Sequence, residues 1–174
     1  GTDGRRRTVG REQPHEGTHV DGSWASSAPV TDGEGVYAYF GSRGLYCFDL
    51  EGVLQWEKDL GDMSTRLGFG EGSSPVLNGD KIVVNWDHEG PSFIVAFDTK
   101  TGAQRWRRDR DEPTSWSSPH ILTHTDPVQV VVSAANRIRS YDLANGNLLW
   151  ECGGLSHNVV AGPVSQEGLV ICGS

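Results

Sequence analysis

The chain is short of the features that mark most kinds of chemistry. Cysteine appears three times in 174 residues, as Cys47, Cys152 and Cys172. None forms a C-x-x-C pair, and three scattered residues make no disulfide framework. All three stand in apolar, strand-like surroundings, where a small buried thiol is the ordinary reading. No apolar run approaches a membrane-spanning helix in length. Basic residues number 15 against 23 acidic ones, a formal net charge of −8, which speaks against nucleic acid and anionic membrane surfaces as main partners. No segment keeps a 3.6-residue period, which excludes helical solenoids. There is no phosphate loop, and Gly70-Glu71-Gly72-Ser73-Ser74-Pro75 is not a nucleophile elbow.

What the chain does hold is a segment written three times. Phe97-Asp98-Thr99-Lys100-Thr101-Gly102-Ala103-Gln104-Arg105-Trp106 returns as Tyr141-Asp142-Leu143-Ala144-Asn145-Gly146-Asn147-Leu148-Leu149-Trp150. It also occurs, one residue shorter, as Phe48-Asp49-Leu50-Glu51-Gly52-Val53-Leu54-Gln55-Trp56. Each copy has a physical logic. The aromatic ends an apolar strand, and the carboxylates of Asp49, Asp98 and Asp142 accept backbone N–H bonds that start a turn. Gly52, Gly102 and Gly146 supply the positive φ the turn needs. Trp56, Trp106 and Trp150 on the returning strand can bury a large ring between neighbouring units.

A second landmark keeps the same interval: Pro29, Pro75, Pro119 and Pro163 each open a strand-like run and are spaced by 46, 44 and 44 residues. Each period has room for four short strands. In the second unit these fall near 73–77, 80–86, 93–98 and 103–109, separated by Asn78-Gly79, Glu89-Gly90-Pro91 and Thr101-Gly102. Units of this length with four strands are the mark of propeller blades. The expected fold is all-β, a partial β-propeller of about three complete four-stranded blades plus half of a fourth. Residues 1–23 read as a polar lead-in loop from a preceding blade, 24–60 as the first blade, and 61–110 as a connector and the second. Residues 111–152 read as the third, and 153–174 as the first half of a fourth. Because the chain opens at Gly1 without a signal pattern and stops at Ser174 just after a strand, it is expected to be an excerpt whose remaining blades belong to the same protein.

The pattern aromatic-Asp-x-x-T/N-G-x-x-x-W, with S-S-P-V before a first strand, resembles the quinoprotein-type repeat named after pyrroloquinoline quinone (PQQ) dehydrogenases. The resemblance covers about residues 24–174. It implies a ring of about seven or eight blades and a periplasmic or cell-surface setting. Its members include PQQ-dependent dehydrogenases and non-catalytic scaffolds for outer-membrane assembly. In the cofactor-dependent members two adjacent cysteines form a ring beside PQQ, and Glu, Asn and Asp hold Ca²⁺. No Cys-Cys pair occurs here, and the three repeat tryptophans match the structural docking position. The reading is therefore a non-catalytic binding or scaffolding platform, with PQQ and Ca possible only through blades outside this stretch. The alternative is part of a PQQ/Ca-dependent quinoprotein dehydrogenase whose cofactor site lies largely elsewhere.

The candidates for binding gather at one end of the expected sheets. The connectors bring Arg66, Glu71, Arg110, Asp111, Trp116, His157 and Asn158 there, and an enlarged loop brings Asp87, His88 and Glu89. Enlarged loops on a rigid scaffold are where binding residues concentrate. Mixed charge with aromatics around a funnel suits a protein segment or a polar small molecule. The plainer reading is a solvated loop face whose ion pairs contribute little. His15-Glu16-Gly17-Thr18-His19 matches the H-E-x-x-H zinc motif, which works only on a helix. Pro14 before it and Gly17 within it leave a helix almost nothing to stand on. His15, His19, Asp87 and Glu89 are the residues a metal could use, and the Asp87–Glu89 loop has the spacing of no standard calcium loop.

Overall fold

The structure, a computed structural model, describes residue 6 and residues 8–174. Residues 1–5 and residue 7 of the lead-in lie outside the described residues. The first sheet comprises β1 (Val30–Thr31), β2 (Gly35–Tyr39), β3 (Leu45–Asp49) and β4 (Leu54–Lys58). The second comprises β5 (Val76–Asn78), β6 (Lys81–Trp86), β7 (Ser92–Asp98) and β8 (Gln104–Arg110). The third comprises β9 (His120–Leu122), β10 (Gln129–Val132), β11 (Ile138–Asp142) and β12 (Leu148–Cys152). A two-stranded sheet of β13 (Val164–Gln166) and β14 (Leu169–Ile171) follows. Every sheet is an antiparallel meander hydrogen-bonded in chain order. Each first strand begins one residue after its landmark proline, so the missing N–H falls just outside the ladder.

Apolar packing joins each sheet to the next. In β6, Ile82, Val84 and Trp86 face the first sheet while Val83 faces the third; in β7, Phe93, Val95 and Phe97 face back while Ile94 and Ala96 face forward. The central blade is covered on both sides, which is why its strands read as unbroken apolar runs. In the third sheet Val130 and Val132 face the second, and Val131 faces the half blade. The first strands approach one another along the inner edge, β1 to β5 and β5 to β9. There the Ser27 hydroxyl donates to Ser73 O (2.7 Å) and the Ser73 hydroxyl to Ser117 O (3.1 Å), one rung per blade.

The outer edge is fastened by the thrice-written hairpin. Trp56 Nε1 donates to Thr99 O of the next blade (2.8 Å), and Trp106 Nε1 to Leu143 O (2.9 Å). Each ring lies directly on the glycine of the hairpin it meets. A Cβ built on Gly102 would stand 2.8 Å from the Trp56 ring, and one on Gly146 2.5 Å from the Trp106 ring. These glycines therefore answer two demands: φ of +66° and +75°, and the absence of a side chain under an indole. Trp150 departs from the expectation. It is half-buried and donates to Gln129 Oε1 in its own sheet (2.9 Å). Cys152 departs too: it is exposed at the end of the edge strand β12, whereas Cys47 is buried and Cys172 half-buried.

The turn aspartates act as read from the sequence. Asp98 Oδ1 accepts from the Thr101 hydroxyl (2.8 Å), the Thr101 N–H (2.8 Å) and the Lys100 N–H (3.0 Å), while Oδ2 pairs with Arg105. The Thr101 bonds, and after them Arg105, hold its carboxyl down to about 2. A carboxylate lowered on folding adds stability above its unfolded value, and that contribution is lost as pH falls through the folded one. Asp98→Asn is thus expected to be less stable than the parent at pH 7. The gap should narrow between about pH 4 and pH 2. Urea unfolding at a series of pH values checks this, and a gap independent of pH would contradict it.

Candidate functional site

The meander places the β2–β3, β6–β7 and β10–β11 loops at the same end of the sheets as the connectors between blades. On this loop face a series of carboxylates holds one loop to the next. Glu16, from the lead-in, accepts the Thr65 N–H and hydroxyl. Glu71 accepts the N–H and hydroxyl of Ser42 in the 3-10 turn Gly41–Arg43. Glu89 Oε1 accepts the Thr114 hydroxyl (2.8 Å) and N–H (3.2 Å). Glu112 accepts the N–H groups of Asn136 (2.8 Å) and Arg137 (3.1 Å) and a bond from Arg139 (2.9 Å). Burial pushes the Glu112 carboxyl up, against the pull of those N–H groups and of Arg110.

Asp87 and Arg110 meet with both side chains fully buried. Arg110 Nε donates to Asp87 Oδ1 (2.7 Å) and Nη2 to Oδ2 (3.0 Å), a two-pronged pair. Asn85 Nδ2 (3.0 Å) and the Ser115 hydroxyl (2.8 Å) also donate to Asp87 Oδ2. Arg110 Nη1 crosses to the third blade and donates to the Tyr141 hydroxyl (2.6 Å). Burial alone would lower the Arg110 guanidinium, but the Asp87 charge outweighs it and holds it above the ordinary arginine value. Among the expected binding residues, these two are out of reach of any ligand. They tie the second blade to the third.

The other candidates fall at different depths. His88 is buried, its Nδ1 accepting the Ser64 N–H (3.1 Å). The Arg66 N–H donates to Thr114 Oγ1 (2.9 Å), and the residue is half-buried. Asp111, His157 and Asn158 are exposed, Asp111 pairing with Arg139 (2.5 Å). Trp116 is half-buried, with Nε1 on Gly70 O (2.7 Å) and its ring tilted against Phe69 at 6.3 Å. The H-E-x-x-H segment is not helical. His15 Nε2 lies 2.7 Å from Met63 O and His19 packs edge-on to Phe69 at 5.1 Å, so the two imidazoles serve separate contacts. Among the described residues no group of three or more His, Cys, Asp and Glu is arranged to hold a metal ion.

Two features were not foreseen. Asn85, a lone polar residue in the apolar run of β6, is the signal that could have pointed to the buried pair. The other is Leu67, in the short 3-10 turn Arg66–Gly68: it is 77% exposed, with φ 55° and ψ 17°. A left-handed backbone is uncommon for a residue with a branched side chain. It is held by the Gly68 N–H on Thr65 O (3.0 Å) and the Phe69 N–H on Arg66 O (3.2 Å). To one side, a cleft of about 850 Å³ opens between the lead-in and the first blade, lined among others by Trp24, Phe40, Arg43 and Tyr46.

The stacked meanders and the tryptophan-on-glycine junctions specify a repeat family. A family model described as outer membrane protein assembly factor BamB matches residues 43–172, more than half of the chain. The chain belongs to this PQQ-repeat β-propeller family. Solved structures agree on the fold. BamB from Moraxella catarrhalis aligns with a TM-score of 0.59 at 19% identity, over 83% of this chain and 42% of that one. A europium-containing methanol dehydrogenase aligns with a TM-score of 0.58 at 19% identity, over 79% of this chain and 27% of that one. Quinohemoprotein alcohol dehydrogenase from Comamonas testosteroni aligns with a TM-score of 0.59 at 16% identity, over 80% and 22%. The chain thus spans less than half the length of each of these structures. A comparison with curated proteins gives no match.

Proposed function

We propose that this chain is part of a non-catalytic propeller that binds protein segments through its loop face, and that it works in the periplasm in the assembly of outer-membrane proteins. The observation that carries the reading is the division of labour on that face. Its buried charges are committed to holding the loops still, while Leu67 is held out in a strained conformation, 77% exposed among the described residues. Strain kept at an exposed apolar residue points to a contact made with something else. Half-buried Phe69 follows two residues on, its ring tilted against Trp116, and the connector after β12 carries Val160, 66% exposed. Apolar and aromatic knobs of this kind are what protein interfaces bury at their centres. Arg66, Asp111, His157 and Asn158 would form the polar rim.

The family description, that of an assembly factor for outer-membrane proteins, supports the same direction. Leu67→Asp in the whole protein tests it. The variant is expected to keep the parent's unfolding midpoint and to lose most of the support for outer-membrane protein assembly, read as the level of folded barrels in a strain depending on it. Unchanged barrel levels would count against the reading. PQQ- and Ca²⁺-dependent, dye-linked alcohol oxidation by the same protein would favour the dehydrogenase alternative instead.

A further inference from the structure

Two buried polar atoms at the junction of the first two blades have no hydrogen-bond partner among the described residues. One is the Tyr39 hydroxyl at the end of β2, on a residue 3% exposed; the other is Asn85 Oδ1 on β6, on a residue 1% exposed. Asn85 Nδ2 is taken by Asp87, which fixes the amide's orientation. Tyr39 and Asn85 line the same small cavity, together with Met63, Thr65, Glu71 and Ser115. Its volume of about 10 Å³ admits one water-sized molecule and no organic ligand.

The two atoms ask for different things. Burial, and after it the charge of Glu71, keeps the Tyr39 hydroxyl protonated far above the ordinary tyrosine range, so it is a donor in search of an acceptor. Asn85 Oδ1 can only accept. An occupant must accept on one side and donate on the other, which water does and a metal ion does not. We propose that one ordered water molecule is an integral part of this fold, bridging the Tyr39 hydroxyl and Asn85 Oδ1. It joins the first blade to the second under the loop face, as Trp56 joins them at the rim. Without it each blade would bring an unsatisfied polar group into the junction, and such groups are rare in native interiors.

A crystal structure of the protein at a resolution that orders waters, together with the unfolding midpoint of Tyr39→Phe, tests this inference independently of the docking role. The expected result is a single density peak about 2.7–3.2 Å from both atoms. The midpoint of Tyr39→Phe should fall by about 2–4 °C, since the water loses a partner. A cavity without density would overturn the proposal, as would direct contact between the two side chains. A peak with several oxygens at about 2.3–2.6 Å would identify a cation instead. A rise in the Tyr39→Phe midpoint would also overturn it, because deleting an unpaired hydroxyl from a dry site relieves its desolvation.

Discussion

Trp106→Ala is expected to lower the unfolding free energy by about 3–5 kcal/mol, the range for truncating a large core aromatic. The ring is 6% exposed, rests on Gly146 and donates to Leu143 O at 2.9 Å. Its removal opens a cavity at the junction of the second and third blades. It also leaves a buried carbonyl without its donor, and both effects have the same sign. Trp56, 9% exposed with the same pair of contacts, belongs to the same class. Urea unfolding of the Trp56→Ala and Trp106→Ala variants reads the losses directly. A loss near zero at Trp106 would show that docking onto the next blade adds nothing.

The second large effect is expected at Arg110. Arg110→Ala should cost about 3–5 kcal/mol, because it strands the fully buried Asp87 carboxylate without a cation. It also removes the donor to the Tyr141 hydroxyl across the blade junction. Replacing both partners, as in Asp87→Leu with Arg110→Met, removes the stranded charge along with the pair. That double variant should recover much of the loss, as replacements of buried pairs by apolar residues often do. Unfolding midpoints of the single and double variants decide the matter. A double variant as unstable as Arg110→Ala would mean that Asn85, Ser115 and Tyr141, rather than the stranded charge, account for the cost.

The architecture was legible because its signals are local and repeated. Proline before each first strand, Asp and Gly in each outer turn and the unbroken apolar runs of β6 and β7 all stand where short-range sterics and two-sided burial require them. The docking partner of each tryptophan was half legible. The ring was expected to be buried, but that it lies on the glycine of the next copy depends on how blades stack.

The loop face was harder to read, for a physical reason. A carboxylate capping the N–H groups of a neighbouring loop and one awaiting a ligand are the same residue in a sequence. Glu71, Asp87 and Glu89 read alike in the sequence, and only the fold distinguishes Asp87 against Arg110 from a free acid. Leu67 was invisible for the opposite reason. Nothing in Arg66-Leu67-Gly68 announces a left-handed backbone at the leucine rather than at the glycine alone.

An indole from one blade and a glycine from the next form a single interlocking contact. A double-mutant cycle of Trp106→Ala and Gly146→Ala, read by urea unfolding, tests it most directly. In the parent, Gly146→Ala meets both the ring, 2.5 Å from the new Cβ, and a φ of +75°. Without the ring only the backbone penalty of about 1–2 kcal/mol remains. The cost of Gly146→Ala is expected to fall by at least about 1 kcal/mol in the Trp106→Ala background, the lower end of what overpacking contributes. Strict additivity of the two losses would contradict it.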